Sequence, residues 1–136
     1  MARIMAFDIG GKRTGIAVSD SLRIIATGLA QIHSKDVIDF LENYFRNEIV
    51  EIIVVGEPKT LTNKNSNSSR FIEPFVKHLE KKFAEKKIVR FDERFTTVIA
   101  KQSQLIGGTK KKQRESGENI DMISATIILQ DYMKFI

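Results

Sequence analysis

Cysteine is missing from these 136 residues, which excludes both a disulfide framework and a thiolate zinc site. No apolar run approaches the roughly 18 residues of a membrane-spanning helix. No basic-apolar-small segment opens the chain, so export is not expected either. A cytoplasmic location fits this cysteine-free composition. Histidine is scarce: His33 and His78 stand alone, one at a strand end and one on a charged helix face, and both read as structural. No Ser-His-Asp arrangement, dinucleotide fingerprint or Walker-type lysine loop is visible.

What is there is ordinary in bulk. The chain is 42% hydrophobic and 29% charged, the composition of a soluble globular protein. Its length suits one domain, residues 1–136, large enough to bury a core without disulfides. Lys and Arg outnumber Asp and Glu by 22 to 17, giving a net charge of +5. A mild basic excess favours polyanionic partners without requiring one.

Hydrophobic patterning predicts the architecture. Residues 3–9 read as a buried strand, and Gly15 to Asp20 as a second, joined to it by a glycine-containing turn as an antiparallel hairpin. Ile24 to Ile32 makes a third strand. Ser34 then caps a helix with apolar residues at Val37, Ile38, Leu41, Tyr44, Phe45 and Ile49. The β-branched run Ile52-Ile53-Val54-Val55 is a central strand covered on both faces. A polar loop from Lys59 to Arg70 precedes a helix carrying Phe71, Ile72, Phe75, Val76, Leu79 and Phe83. Pro74 predicts that its first turn is kinked or that it starts late. Ile88 to Glu93 is a fifth strand. A short helix from Thr96 or Thr97 stops at Gly107-Gly108. A basic loop from Thr109 to Glu118 leads to a last helix, capped by Asn119, with Ile120, Ile123, Ile127 and Ile128 as its core stripe. The expected fold is α/β: a mixed five-stranded sheet in the order 3-2-1-4-5, strand 2 antiparallel, with helices on both faces. Ligands of such open sheets bind at the carboxyl ends of the parallel strands, at the switch point.

Acidic residues gather at that edge. Asp8, Glu57 and Glu93 close the three parallel strands, and Asp121 opens the last helix, where it could lie across the same edge. Carboxylates crowded together raise each other's pKa, and a hard divalent cation reverses the penalty. Two Mg²⁺ or Mn²⁺ ions about 3.5–4 Å apart can activate water and stabilise the leaving oxygen of a phosphodiester. Small Ser124 and Ala125 would let the helix approach. Plainer roles stand beside this: Asp121 near a helix start is favoured by the macrodipole, Glu93 could pair with Arg94, and Glu57 could be an exposed turn residue. Asp20 ends an antiparallel strand at the far side of the sheet and is excluded. Lys12 and Arg13, and the run Lys110, Lys111, Lys112 and Arg114, are candidate phosphate contacts, as is Arg94. Neither cluster has interleaved aromatics, so base stacking is not implied.

Asp8-Ile9-Gly10-Gly11-Lys12-Arg13-Thr14-Gly15 through Asp20, then Val55-Gly56-Glu57-Pro58, Asp92-Glu93-Arg94-Phe95-Thr96-Thr97 and Asp121 with Ala125 resemble the YqgF (RuvX-like) family. These are Holliday-junction-resolvase-like proteins of RNase H-like fold, regarded as candidate nucleases for the 5′ end of pre-16S rRNA. The match runs nearly the whole chain. It implies a metal-dependent nuclease in ribosome biogenesis using Asp8, Glu93 and Asp121, with two Mg²⁺ or Mn²⁺ ions. The family usually has an apolar residue where this chain has Glu57, and related resolvases keep an acid at that strand end. Glu57 therefore enters as a rival or fourth ligand, and Asp92 and Glu93 point to opposite sides of their strand. The expected partner is structured nucleic acid, RNA ahead of branched DNA, bound by a monomer or weak homodimer. Cleavage of four-way junctions and non-catalytic nucleic-acid binding are the alternatives. The Asp8–Gly11 turn also resembles the phosphate loop of actin-like ATPases, but those close two such domains around their nucleotide.

Overall fold

The computed structural model describes residues 2–57, 69–92 and 120–134. In chain order they form β1 (Arg3–Ile9), β2 (Arg13–Ser19), β3 (Ala26–His33), a 3-10 turn (Ser34–Asp36), α1 (Val37–Asn47), β4 (Val50–Glu57), α2 (Ser69–Lys82), β5 (Lys87–Asp92) and α3 (Ile120–Met133). The five strands make one sheet in the order β3-β2-β1-β4-β5. β2 runs antiparallel to both β1 and β3, while β1, β4 and β5 are parallel. This is the architecture the hydrophobic pattern predicts.

Alternation along the central strands divides the core in two. Met5, Phe7, Ile53 and Val55 pack with Val37 and Leu41 of α1 and Ile72, Val76 and Leu79 of α2. Ile4, Ala6, Ile52 and Val54 point the other way, against Ala125, Ile128, Leu129 and Tyr132 of α3. Ile4 through Phe7 and Ile53 through Val55 have no exposed surface at all, because both faces are covered and both edges paired. Each such side chain contributes about 1.5–3 kcal/mol by leaving water. The α3 side is lined by small residues, among them Ala6 and Ala17, so this helix sits low on the sheet.

Several boundaries differ from expectation for local reasons. β3 begins at Ala26, not Ile24. Asp20 turns the chain first, its Oδ1 accepting the N–H groups of Ile24 at 2.7 Å and Ile25 at 2.8 Å. Ser34 does not cap α1: its hydroxyl donates to the Gly10 carbonyl at 2.6 Å and meets Thr14 Oγ1 at 2.8 Å. His33 Nδ1 instead accepts from Lys35 N at 3.3 Å, and a 3-10 turn precedes the helix. Ile49 lies beyond α1 and is exposed. α2 already starts at Ser69, with Pro74 in its interior. Pro74 removes the N–H that would reach the carbonyl four residues back. In α3 the buried residues are Ser124, Ala125, Ile128, Leu129 and Tyr132, whereas Ile120, Ile123 and Ile127 are only partly buried. The predicted helix after Thr96, the basic loop and the Asn119 cap lie outside the described residues. Among the described residues no helix is long and apolar enough to cross a membrane.

Candidate active site

Asp8 is the penultimate residue of β1 and shares the face of Ile4 and Ala6, which α3 covers. Across the antiparallel pair its partner is Gly15, and Gly15 in turn faces Gln31 on β3. This row has a side chain at each end and a gap in the middle. The first turn of α3 fills the gap. A Cβ on Gly15 would stand 1.9 Å from the carbonyl oxygen of Asp121 and 2.6 Å from Met122 N, so no other residue admits the helix at this depth. Gly28 does the same for a side chain: a Cβ there would lie 2.8 Å from Met122 Cγ.

Gln31 completes the docking. Its Oε1 accepts the backbone N–H of Asp121 at 3.1 Å and of Met122 at 3.2 Å. These are two of the donors that a helix start leaves unsatisfied. The contact spans 90 residues of sequence. Glycine and glutamine together bring Asp121 alongside Asp8.

The electrostatics follow from that approach. Asp8 is pushed up from the ordinary carboxylate range to about 7, first by burial and then by the negative charge of Asp121. The buried hydroxyl of Ser124, one turn along α3, donates to the Asp8 carboxylate and opposes the rise. Asp121 is also raised by burial, partly offset by the positive charge of Arg13. An apo site of this kind retains a proton that two free carboxylates would have lost. Two oxygen donors sharing one desolvated spot fit a hard divalent cation, which would take the proton's place. Among the described residues no third His, Cys, Asp or Glu joins them.

Glu57 is not brought to this pair. It has the parity of Ile53 and Val55 and so lies on the α1–α2 face of the sheet. There its carboxylate pairs with the guanidinium of Arg90, which also holds Glu73 of α2. An acid at the right strand end is thus turned to the wrong side, and a cation already neutralises it. Lys12, in the turn after β1, and Arg13, the first residue of β2, are exposed, and the charge of Arg13 reaches Asp121. Glu93, Arg94, Lys110, Lys111, Lys112 and Arg114 lie outside the described residues. Asp20 sits at the opposite end of β2, occupied in its own turn.

The family model described as RuvX, Holliday junction resolvase, matches residues 2–135. The chain belongs to this family. Among its relatives, a Christiangramia forsetii protein named as a candidate pre-16S rRNA nuclease is 50% identical over 133 residues, covering 98% of both chains. A Bacteroides fragilis protein of the same name is 47% identical, over 98% of this chain and 97% of its own. In three dimensions the chain resembles the fowlpox virus Holliday junction resolvase, with a TM-score of 0.59 at 15% identity over 98% of each chain. At that identity the likeness concerns the fold, which is RNase H-like.

Sequence reasoning singled out Asp8 and Asp121 but missed Gly15 and Gln31, and took Ser124 only as a small residue. Gly15 did carry a signal. A glycine inside a strand marks a bulge or a close backbone approach. Nothing local in the sequence marks Gln31.

Proposed function

We propose that this protein is a divalent-metal-dependent nuclease that processes the 5′ end of pre-16S rRNA. The observation that carries the reading is the approach of Asp121, at the start of α3, to Asp8, at the carboxyl end of β1, over the glycine gap of β2. Support for the substrate comes from the relatives' names, and support for phosphodiester hydrolysis from the family.

In this reading Asp8 and Asp121 hold one or two Mg²⁺ or Mn²⁺ ions, which when bound activate water and stabilise the leaving oxygen. Ser124 orients the Asp8 carboxylate through its hydrogen bond. Gln31 and Gly15 fix where Asp121 can be. Lys12 and Arg13 hold the substrate backbone at the same rim. Glu93, which lies outside the described residues, enters as the third acid on the family resemblance alone. Glu57, paired with Arg90 on the other face, is set aside as a ligand.

Purified wild type and Asp8→Asn, offered a pre-16S rRNA fragment with Mg²⁺ or Mn²⁺, provide the test. Wild type is expected to cut and the variant to be silent; equal cleavage by both would overturn the reading. The family's description favours a second substrate, the four-way DNA junction. Symmetric paired nicks on a junction run beside the RNA would move the assignment there.

A further inference from the structure

We propose that Arg13 and His33, paired across β2 and β3, form a subsite for one backbone phosphate, the neighbour of the phosphate on which the Asp8–Asp121 pair acts. The inference rests on the nuclease reading and names what keeps the substrate strand in line with that pair.

Strand register puts the two residues beside the acids. Asp8, Gly15 and Gln31 share one row of the sheet. Two residues nearer the rim, Arg13 opens β2 and His33 closes β3, and these two pair. Alternation along each strand returns both to the face on which Gln31 meets α3. The pull of Arg13 on Asp121 is felt across that same face. The two rows are separated by about 7 Å, at ~3.4 Å per residue, a step close to the phosphate repeat of a nucleic-acid backbone. Cross-strand side chains leave the sheet about 5 Å apart, so both can reach one phosphate.

Exposed cations alone are unremarkable, but these two donors are uncommitted and held in place. Arg3, Arg23, Arg46 and Arg90 each give their guanidinium to a side-chain acceptor: Glu48, Glu51, Asn43, and Glu57 with Glu73. Arg13 has no such acceptor among the described residues and acts on Asp121 through its charge alone. Once Asp121 is committed to a cation, the Arg13 fork is left to an incoming anion, for which its planar donors are suited. His33 Nδ1 accepts the Lys35 N–H at 3.3 Å. The ring proton therefore sits on Nε2, on the far side of the exposed imidazole, as a second outward donor. Backbone bonds fix both ends of the pair: Gly10 N–H reaches the Arg13 carbonyl at 3.0 Å and Ser34 N–H the Lys12 carbonyl at 2.9 Å. Exposed Lys12 and Lys35 frame it with further positive charge. Asp36, the acid of this turn, leads into α1, which packs on the other face. His33 looks merely structural in the sequence, because only the β2–β3 register sets it against Arg13.

Anisotropy of a labelled RNA oligonucleotide, titrated in EDTA so that nothing is cut, tests the pair. Arg13→Gln is expected to weaken binding roughly five- to tenfold and to lower the slope of log affinity against log salt by about one. Arg13→Lys should restore the slope but only part of the affinity, since a lysine has the charge without the fork. His33→Ser keeps an acceptor for the Lys35 N–H yet cannot reach a phosphate. It should bind roughly threefold or more weakly at an unchanged melting temperature, with the capping role intact. Two residues on one phosphate should not act independently, so the double variant should bind within about twofold of Arg13→Gln. Unchanged affinity in either single variant, losses that multiply in the double variant, or a wild type that binds no RNA at low salt would each overturn the proposal. With Mg²⁺ or Mn²⁺, both single variants should raise KM more than they lower kcat. Cleavage that Asp8→Asn abolishes while Arg13→Gln and His33→Ser keep the wild-type KM would remove the subsite and keep the nuclease. Coupled binding losses without cleavage in any divalent metal would do the reverse.

Discussion

Asp8 shows what a single side chain gives up to serve a site. Its carboxyl is raised from 3.8 to about 7 in the folded protein, so between those values the native state binds a proton that the unfolded chain has released. Stability of the metal-free protein therefore falls as pH rises from about 4 to about 7, and the loss is complete above that. Asp8→Asn removes the ionisable group. It should stabilise the metal-free protein at pH 8 by about 1–3 kcal/mol and flatten the slope between pH 4 and 7. Urea melts in EDTA at pH 5 and pH 8 measure both. The same substitution should abolish cleavage, so stability and function move in opposite directions at one residue. Glu57→Gln tests one of the acids, Glu57, Asp92 and Glu93, that the sequence left as rivals. With its carboxylate committed to Arg90 on the other face, the change should leave divalent-metal affinity within about twofold of wild type by calorimetry, since distant sites behave independently.

At the scale of elements, α3 is held against the sheet by a glycine and a glutamine rather than by a large apolar contact at its start. Gly15→Ala has no room for its methyl, which would meet the Asp121 carbonyl at 1.9 Å. The first turn of α3 must lift, at a cost of about 1–3 kcal/mol for overpacking, and Mn²⁺ binding should weaken at least tenfold. Gln31→Leu keeps the bulk but strips both acceptor contacts. It should weaken Mn²⁺ binding with a smaller loss of stability, and Gln31→Glu, which retains an acceptor oxygen, should recover stability at least. The sequence made the strands and their order legible, because β-branched runs such as Ile52–Val55 and the glycine turn after Asp8 are local signals. It also placed Asp8 and Asp121 at one rim. The face of Glu57 was harder to read: its parity with Val55 is plain, but which helix covers that face is decided by the crossovers. The stripe read for α3, Ile120, Ile123, Ile127 and Ile128, met the buried face only at Ile128, because the helix is apolar nearly all round and periodicity does not single out one side. Gln31 escaped altogether, since cross-strand register and a partner 90 residues away leave no local pattern.

For the molecule as a whole, cation binding and folding are linked. A divalent metal that binds only the assembled site stabilises the native state. Because it displaces the proton on Asp8, it should do so more at pH 8 than at pH 5. Thermal melts with and without millimolar Mn²⁺ at the two pH values should show a clearly larger rise at pH 8. An equal rise at both would mean that the ion sits elsewhere. The net charge of +5 should also make nucleic-acid binding fall steeply with salt. The clasp between Gln31 and the start of α3 has a consequence in the life of the chain. Synthesis delivers Asp8 long before Asp121, and domains assemble from the N-terminal end as they emerge. Until α3 emerges, Asp8 lacks its acidic neighbour, so under the proposed reading the nascent polypeptide carries only half of the metal-holding pair and is born disarmed.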